Sequence, residues 1–169
     1  MTQDSVLTTN SNLLQTTKFR LVFNRIPNVE YFLTEVNLPG VSLPRNVQPT
    51  PFRDRPVPGD KLDWEELRLV FNVDENLKNW QELYNWIRGL GKPTNFGEYS
   101  KIKKESNVYS DAVLMPLSSH NNVTYKIHFK DAWPQNLSGI RWTTQGSANE
   151  PIISEAVFQY LYYDIETVG

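Results

Sequence analysis

The chain has no cysteine. That one absence excludes disulfides, thiol nucleophiles and cysteine-ligated zinc together. Only two histidines, His120 and His128, stand among its 169 residues, too few for a multi-histidine metal centre. Charge of either sign is not in excess. Seventeen Lys and Arg against nineteen Asp and Glu leave a net charge of −2, which implies no general attraction to nucleic acid. No apolar run approaches the length that spans a bilayer. The opening residues, MTQDSVLTTNSN, lack a basic n-region and an apolar h-region, so no secretory signal is predicted and cytosolic folding is the default expectation.

Catalytic patterns are missing as well. Gly89-Leu90-Gly91-Lys92 lacks the full spacing of a phosphate loop and does not open a helix. Ser119 and His120 are neighbours in a turn, which is not how a nucleophile meets its base. Glu65 and Glu66 project to opposite faces of a strand and cannot work as a pair. The sequence predicts no enzyme, no cofactor and no metal site.

What the chain does have is β patterning and aromatic residues, 12% of the total with five Trp and eight Tyr. Its length suits one domain with a real core. Residues 1–14, polar and rich in Thr, Asn and Ser, predict a flexible arm; residues 15–169 predict a single β domain. Phe19, Leu21 and Phe23 alternate with polar residues in a first strand over 17–25. Pro27-Asn28 predicts a turn and 29–37 a return strand, together a hairpin. Leu67, Leu69, Phe71 and Val73 give the next strand one apolar face. Asp74 predicts an N-cap for a helix over about 75–88, with Leu77, Trp80, Leu83, Tyr84 and Ile87 as its stripe and Gly89 as a left-handed cap. Trp86 falls off that stripe. The loop 91–107 holds Lys101, Lys103 and Lys104 beside Glu98 and Glu105, a solvated surface. Further strands are expected over 109–117, 123–130, 137–143 and 152–165, with Trp133-Pro134 closing one of them. In the last, Ala156, Phe158, Tyr160 and Tyr162 share one face and Val157, Gln159, Leu161, Tyr163 and Ile165 the other. A strand with large apolar residues on both faces is central in a core, or divided between a core and a subunit interface. The fold class is therefore mainly β: an antiparallel sandwich or partly closed barrel of about seven strands with one packed helix.

Residues 39–60 differ from the rest. Pro39, Pro44, Pro49, Pro51, Pro56 and Pro58 are six of the eleven prolines, and they exclude a helix or a central strand here. An extended arm bearing Arg45, Arg53 and Arg55 is expected. It reaches a neighbouring molecule or wraps its own sheet.

In this order the motifs resemble those of the tail tube proteins of contractile-tailed bacteriophages, the myovirus type, and of related contractile injection systems. The residues that carry the resemblance are Leu38-Pro39-Gly40, the long arm, Pro58-Gly59-Asp60 and the run WEELRLVFNVDENLKNWQELYNWI from Trp64. Ala132-Trp133-Pro134 with Asn136, followed by the tyrosine-rich ending at Tyr162-Tyr163, add to it. The resemblance implies a structural virion protein whose subunits form hexameric rings. Rings stack into a tube inside a sheath, inner strands join across subunits, and DNA passes through the lumen into the host without specific binding. Its partners would be itself, the sheath, and baseplate or terminator proteins; assembly would occur in the host cytoplasm, and no membrane is involved. The arm would help rings stack. Two departures, the Pro- and Arg-rich arm and the cations Lys18, Arg20, Lys126 and Lys130 on strand faces, leave open a specialised ring, either a baseplate tube initiator or a tail terminator. A β-sandwich that binds carbohydrate or protein is the alternative from another class. The expected interface residues are Arg45, Arg53, Arg55, Trp86 and Trp133.

Overall fold

The computed structural model describes residues 13–14, 16–91, 108–145 and 150–168. Most of the N-terminal arm and the lysine-bearing loop after residue 91 lie outside the described residues. The main sheet holds seven strands: β1 (Phe19–Phe23), β2 (Leu33–Val36), β7 (Leu67–Asn72), β8 (Ser110–Pro116), β9 (Tyr125–Leu137), β10 (Ile153–Gln159) and β11 (Tyr162–Thr167). Their order is β1-β8-β9-β10-β7-β2, all antiparallel, with β11 also on β9. The sheet does not close into a barrel. The remaining strands, β3 (Val41–Ser42), β4 (Arg45–Gln48), β5 (Arg55–Pro58) and β6 (Asp63–Trp64), belong to the arm.

Alternation sets the core. Leu21 and Phe23 of β1, Leu67, Leu69 and Phe71 of β7, Leu114 of β8, and Ile127 and Phe129 of β9 are all buried, as their period-two spacing predicts. Phe71, Phe129 and Phe158 are fully buried; each removes roughly 1.5–3 kcal/mol worth of apolar surface from water.

Four local expectations are corrected. The segments 17–25 and 29–37 do not pair with each other: β1 pairs with β8 and β2 with β7. Between them Pro27 opens a short helix, α1 (Pro27–Tyr31). Proline suits the first helical turn because its missing N–H has no helical partner there, and Val29 is buried from it. The main helix, α2 (Lys78–Leu90), begins later than expected, and Leu77 rather than Asp74 precedes it without a side-chain cap. Asn79 takes over the polar work: its Oδ1 accepts from the N–H of Asp74 and of Trp80, and its Nδ2 donates to the Asn72 carbonyl. The helix runs through Gly89 and ends at Gly91, whose φ is −74°.

Third, β9 does not stop at Lys130. It continues through Trp133 and Pro134 for thirteen residues. Proline is tolerated because β8 pairs only as far as Ala132, which leaves β9 with β10 alone as its partner at Pro134. Asp131, at φ 54°, sits where two β9 residues, Lys130 and Asp131, face one of β8, Asp111, a bulge that bends the strand. Residues 138–143, expected to be a strand, form none. Fourth, the final strand is two strands. Tyr160 and Leu161 interrupt it, and both halves run along the same side of β9.

Candidate assembly surfaces

The proline-rich segment folds back on itself as an extended antiparallel hairpin. β3 pairs with β6 near the body, and β4 pairs with β5 farther out. The two prolines of β5 fall where the ladder needs no donor. Gly59 N–H donates to the Pro44 carbonyl at 2.7 Å, and donors alternate along an antiparallel strand. Val57 and Arg55 therefore also face β4, while Pro56 and Pro58 occupy positions whose N–H would point away. The outer edge of β5 cannot donate to an added strand there. Gly59 itself is required: a Cβ would lie 2.5 Å from the Pro44 carbonyl oxygen. Beyond the strands, Thr50 Oγ1 is hydrogen-bonded to the Arg53 carbonyl, and the Arg53 N–H donates to it at 3.3 Å.

Arg45, Arg53 and Arg55 are exposed on this hairpin, and β4 is exposed along its whole length. Only Asp54 opposes them between residues 45 and 58. Phe52, in the turn, has a relative exposure of 101%, and Val47 is exposed too. Sequence reasoning missed Phe52. The signal was present, since an aromatic side chain between Pro51 and Arg53 has no alternating strand to bury it.

The base of the hairpin is anchored by aromatic residues. Tyr160 Oη donates to the Glu65 carbonyl at 2.7 Å and Tyr163 Oη to the Pro39 carbonyl at 3.1 Å. Trp64 lies edge-on to both rings, with centroids 6.4 and 4.8 Å away. Phe129, buried in the core, lies against the same two tyrosines at 5.1 and 5.6 Å. Burial, then the charges of Tyr163 and Glu65, push the Tyr160 phenol up to about 12. Gly40 and Glu65 close the base: the Glu65 N–H donates to the Gly40 carbonyl, and the Gly40 N–H to the Glu65 carboxylate, both at 3.0 Å.

The outward face of β1, β8, β9 and β11 carries the cations noted in the sequence, and carboxylates accompany them. Lys130 Nζ is 2.8 Å from Asp111, His128 Nε2 is 3.1 Å from Glu166, and Arg20 lies 3.7 Å from Glu30. Lys126 stands opposite Glu166 in the β9–β11 register. The hydrogen bond from Lys130 holds the Asp111 carboxyl below the usual carboxylate range. Lys18 donates to the Ser119 carbonyl. The face is thus mixed in sign rather than basic.

The two tryptophans lie apart from the arm. Trp86 is 2% exposed, which corrects the expectation that it stands off the buried side of the helix. The face of α2 that turns inward is Asn79, Leu83, Trp86 and Gly89, one step round from the predicted stripe, because Asn79 satisfies backbone groups that no apolar residue could. Trp86 Nε1 donates to the Val108 carbonyl, its ring meets Phe158 edge-on, and Arg25 lies 4.7 Å over it. Trp133 is half-buried within β9, opposite Gln159. The arginines are thus together and the tryptophans separate from them. Among the described residues, no group of three or more His, Asp or Glu could hold a metal ion, and no helix is long and apolar enough to cross a membrane.

Three edges of the main sheet have no strand partner among the described residues: the outer edges of β1, β2 and β11. β1 and β2 border one seam, lined by Thr17, Phe19, Thr34, Val36 and Val70. The described residues thus form an open antiparallel sheet that carries a two-stranded hairpin and has edges available for strand pairing. The particular relatives are found by comparison. No family model matches the sequence. The tail tube terminator protein of Enterobacteria phage T4 is 25% identical over 112 residues, 66% of this chain and 62% of the terminator, so the chain spans less than two thirds of that relative's length. A chain of the anti-feeding prophage cap, its tube-terminating cap, has a TM-score of 0.68 at 13% identity, covering 99% of this chain and 100% of that one. A chain of the six-fold symmetrised anti-feeding prophage baseplate has a TM-score of 0.67 at 15% identity, covering 94% and 98%. The fold is that of contractile-tail tube-related proteins, as the sequence motifs imply.

Proposed function

We propose that the chain is a structural, ring-forming subunit of a contractile tail tube, that its rings are hexameric, and that it occupies the terminal ring. The observation that carries this reading is the sequence similarity to a tail tube terminator, on a chain whose fold matches a tube-terminating cap chain from end to end. Six-fold symmetry in the baseplate assembly that holds a chain of the same fold supports the hexamer. The unpaired edges of β1, β2 and β11 give ring closure its backbone donors and acceptors, and the arm gives a second contact along the tube. On this reading the protein belongs to the virion, meets tube and sheath, and surrounds passing DNA without gripping it. The face of mixed sign described above suits such a conduit, because phosphate contacts would retard passage.

The tube body is the other position open to this fold. Adding the purified chain to tube subunits polymerising in vitro separates the two. A terminal ring shortens the tubes in proportion to its share of the mixture and appears at one end. Incorporation along the whole length overturns the terminal position and returns the chain to the tube body.

A further inference from the structure

The arm is a hairpin of 25 residues between Pro39 and Glu65, and its strands pair only with each other. A hairpin of that kind has no direction of its own; a two-stranded ribbon is marginally stable and free to swing. Its direction must come from where the chain leaves and rejoins the body. Both points are held by side chains from one short stretch. Tyr160 binds the carbonyl of Glu65, Tyr163 binds the carbonyl of Pro39, and Trp64 packs edge-on against both rings. Pro39 is fully buried, so its carbonyl needs a donor.

The interruption between β10 and β11 makes this possible. In an unbroken strand, residues three apart point to opposite faces. The break at Tyr160 and Leu161 lets both tyrosines reach the base of the arm and Phe129 behind it. Both phenols are used as donors, and neither hydrogen bond is part of a sheet ladder.

We infer that Tyr160 and Tyr163 are positioning residues: a two-point clamp that sets the angle of the arm and ties it to β11, a strand whose outer edge has no strand partner among the described residues. This rests on the proposed role of the arm in assembly. Because β11 starts at Tyr162, beside the clamp, a second copy of the chain that pairs with its edge acts on the same residues that aim the arm. Lateral closure and stacking are then coupled through two hydroxyl groups.

The absence of cysteine makes the test direct. Two spin labels are attached through Gln48→Cys, on the outer part of the arm, and Asn85→Cys, on the exposed side of α2. The distance between them is measured by pulsed electron spin resonance on the unassembled chain. With both tyrosines present, the clamp predicts one narrow distance distribution. Tyr160→Phe with Tyr163→Phe keeps both rings and removes both donors; the distribution is expected to broaden at least twofold, with unchanged circular dichroism and unchanged hydrogen exchange in β7 and β9. A merely structural role would lower the thermal midpoint without widening the distribution. A distribution equally narrow and centred in the double variant overturns the clamp. If the double variant fails to fold, Tyr163→Phe alone is measured, and the same narrow result overturns it. Ring assembly of the same variants, scored by light scattering, separates the two proposals. A broadened distribution with unimpaired assembly supports the clamp and overturns the arm's role in assembly.

Discussion

Tyr160 and Trp86 show how a single polar atom decides what an aromatic residue does. Trp86 has its indole nitrogen satisfied by the Val108 carbonyl and its ring covered by Arg25, so it can be buried without leaving a donor unpaired. Periodicity alone could not show that partner. Tyr160 is half-buried and donates to Glu65. Its phenol is raised by burial from 10 to about 12, and the sign of the consequence follows from linkage. A group whose folded pKa lies above its unfolded value contributes stability that is fully present below pH 10. That contribution is lost as pH rises through about 12. Tyr160→Phe is therefore expected to cost about 1 kcal/mol at neutral pH, where one hydrogen bond is lost, and progressively less above pH 10. Urea denaturation midpoints at pH 7.5 and 10.5 check this; a gap between the two proteins that widens with alkalinity would contradict it.

At the scale of elements, the strands were legible where one face is apolar and the other polar. β1, β7 and the first half of β9 lie where alternation put Leu21, Leu69 and Phe129. Pairing was less legible. Pro27 signals a turn and a helix start equally well, and the choice fell to Val29, which gains burial in α1. Trp133-Pro134 looked like an end because a proline removes a donor; it is not one, because β8 has already stopped. The arm was legible as an arm, yet not as a hairpin, since the spacing of Pro56 and Pro58 reveals its ladder only once Gly59 is seen to pair with Pro44. Arg45, Arg53 and Arg55 are exposed on the arm as expected, Phe52 beside them was not singled out, and Trp86 was assigned to a surface it does not reach. Because Phe52 and Arg53 are exposed in the turn at the outer end of the arm, Phe52→Ala with Arg53→Glu is expected to change folding stability by less than about 0.5 kcal/mol while lowering ring association at least tenfold. Sedimentation velocity with matched thermal melts reads both quantities. Unfolding of the monomer instead would mean that the arm braces its own sheet.

At the scale of the molecule, the sheet is open, three of its edges lack strand partners among the described residues, and a pinned hairpin projects from it. Open edges are aggregation hazards unless something pairs with them, and subunits in a closed ring are the economical solution. The sequence pointed to this class through short motifs whose order mattered more than their identity, and the fold it implied is the one observed. Which edges stay unpaired was not legible, because pairing depends on residues far apart in the chain. The measurement that bears most directly on the account is negative-stain electron microscopy of the purified protein, with light scattering on the same sample. The account predicts closed rings of uniform bore, with six subunits by mass. A particle that stays monomeric at every concentration, and also in the presence of preformed tubes, would contradict it.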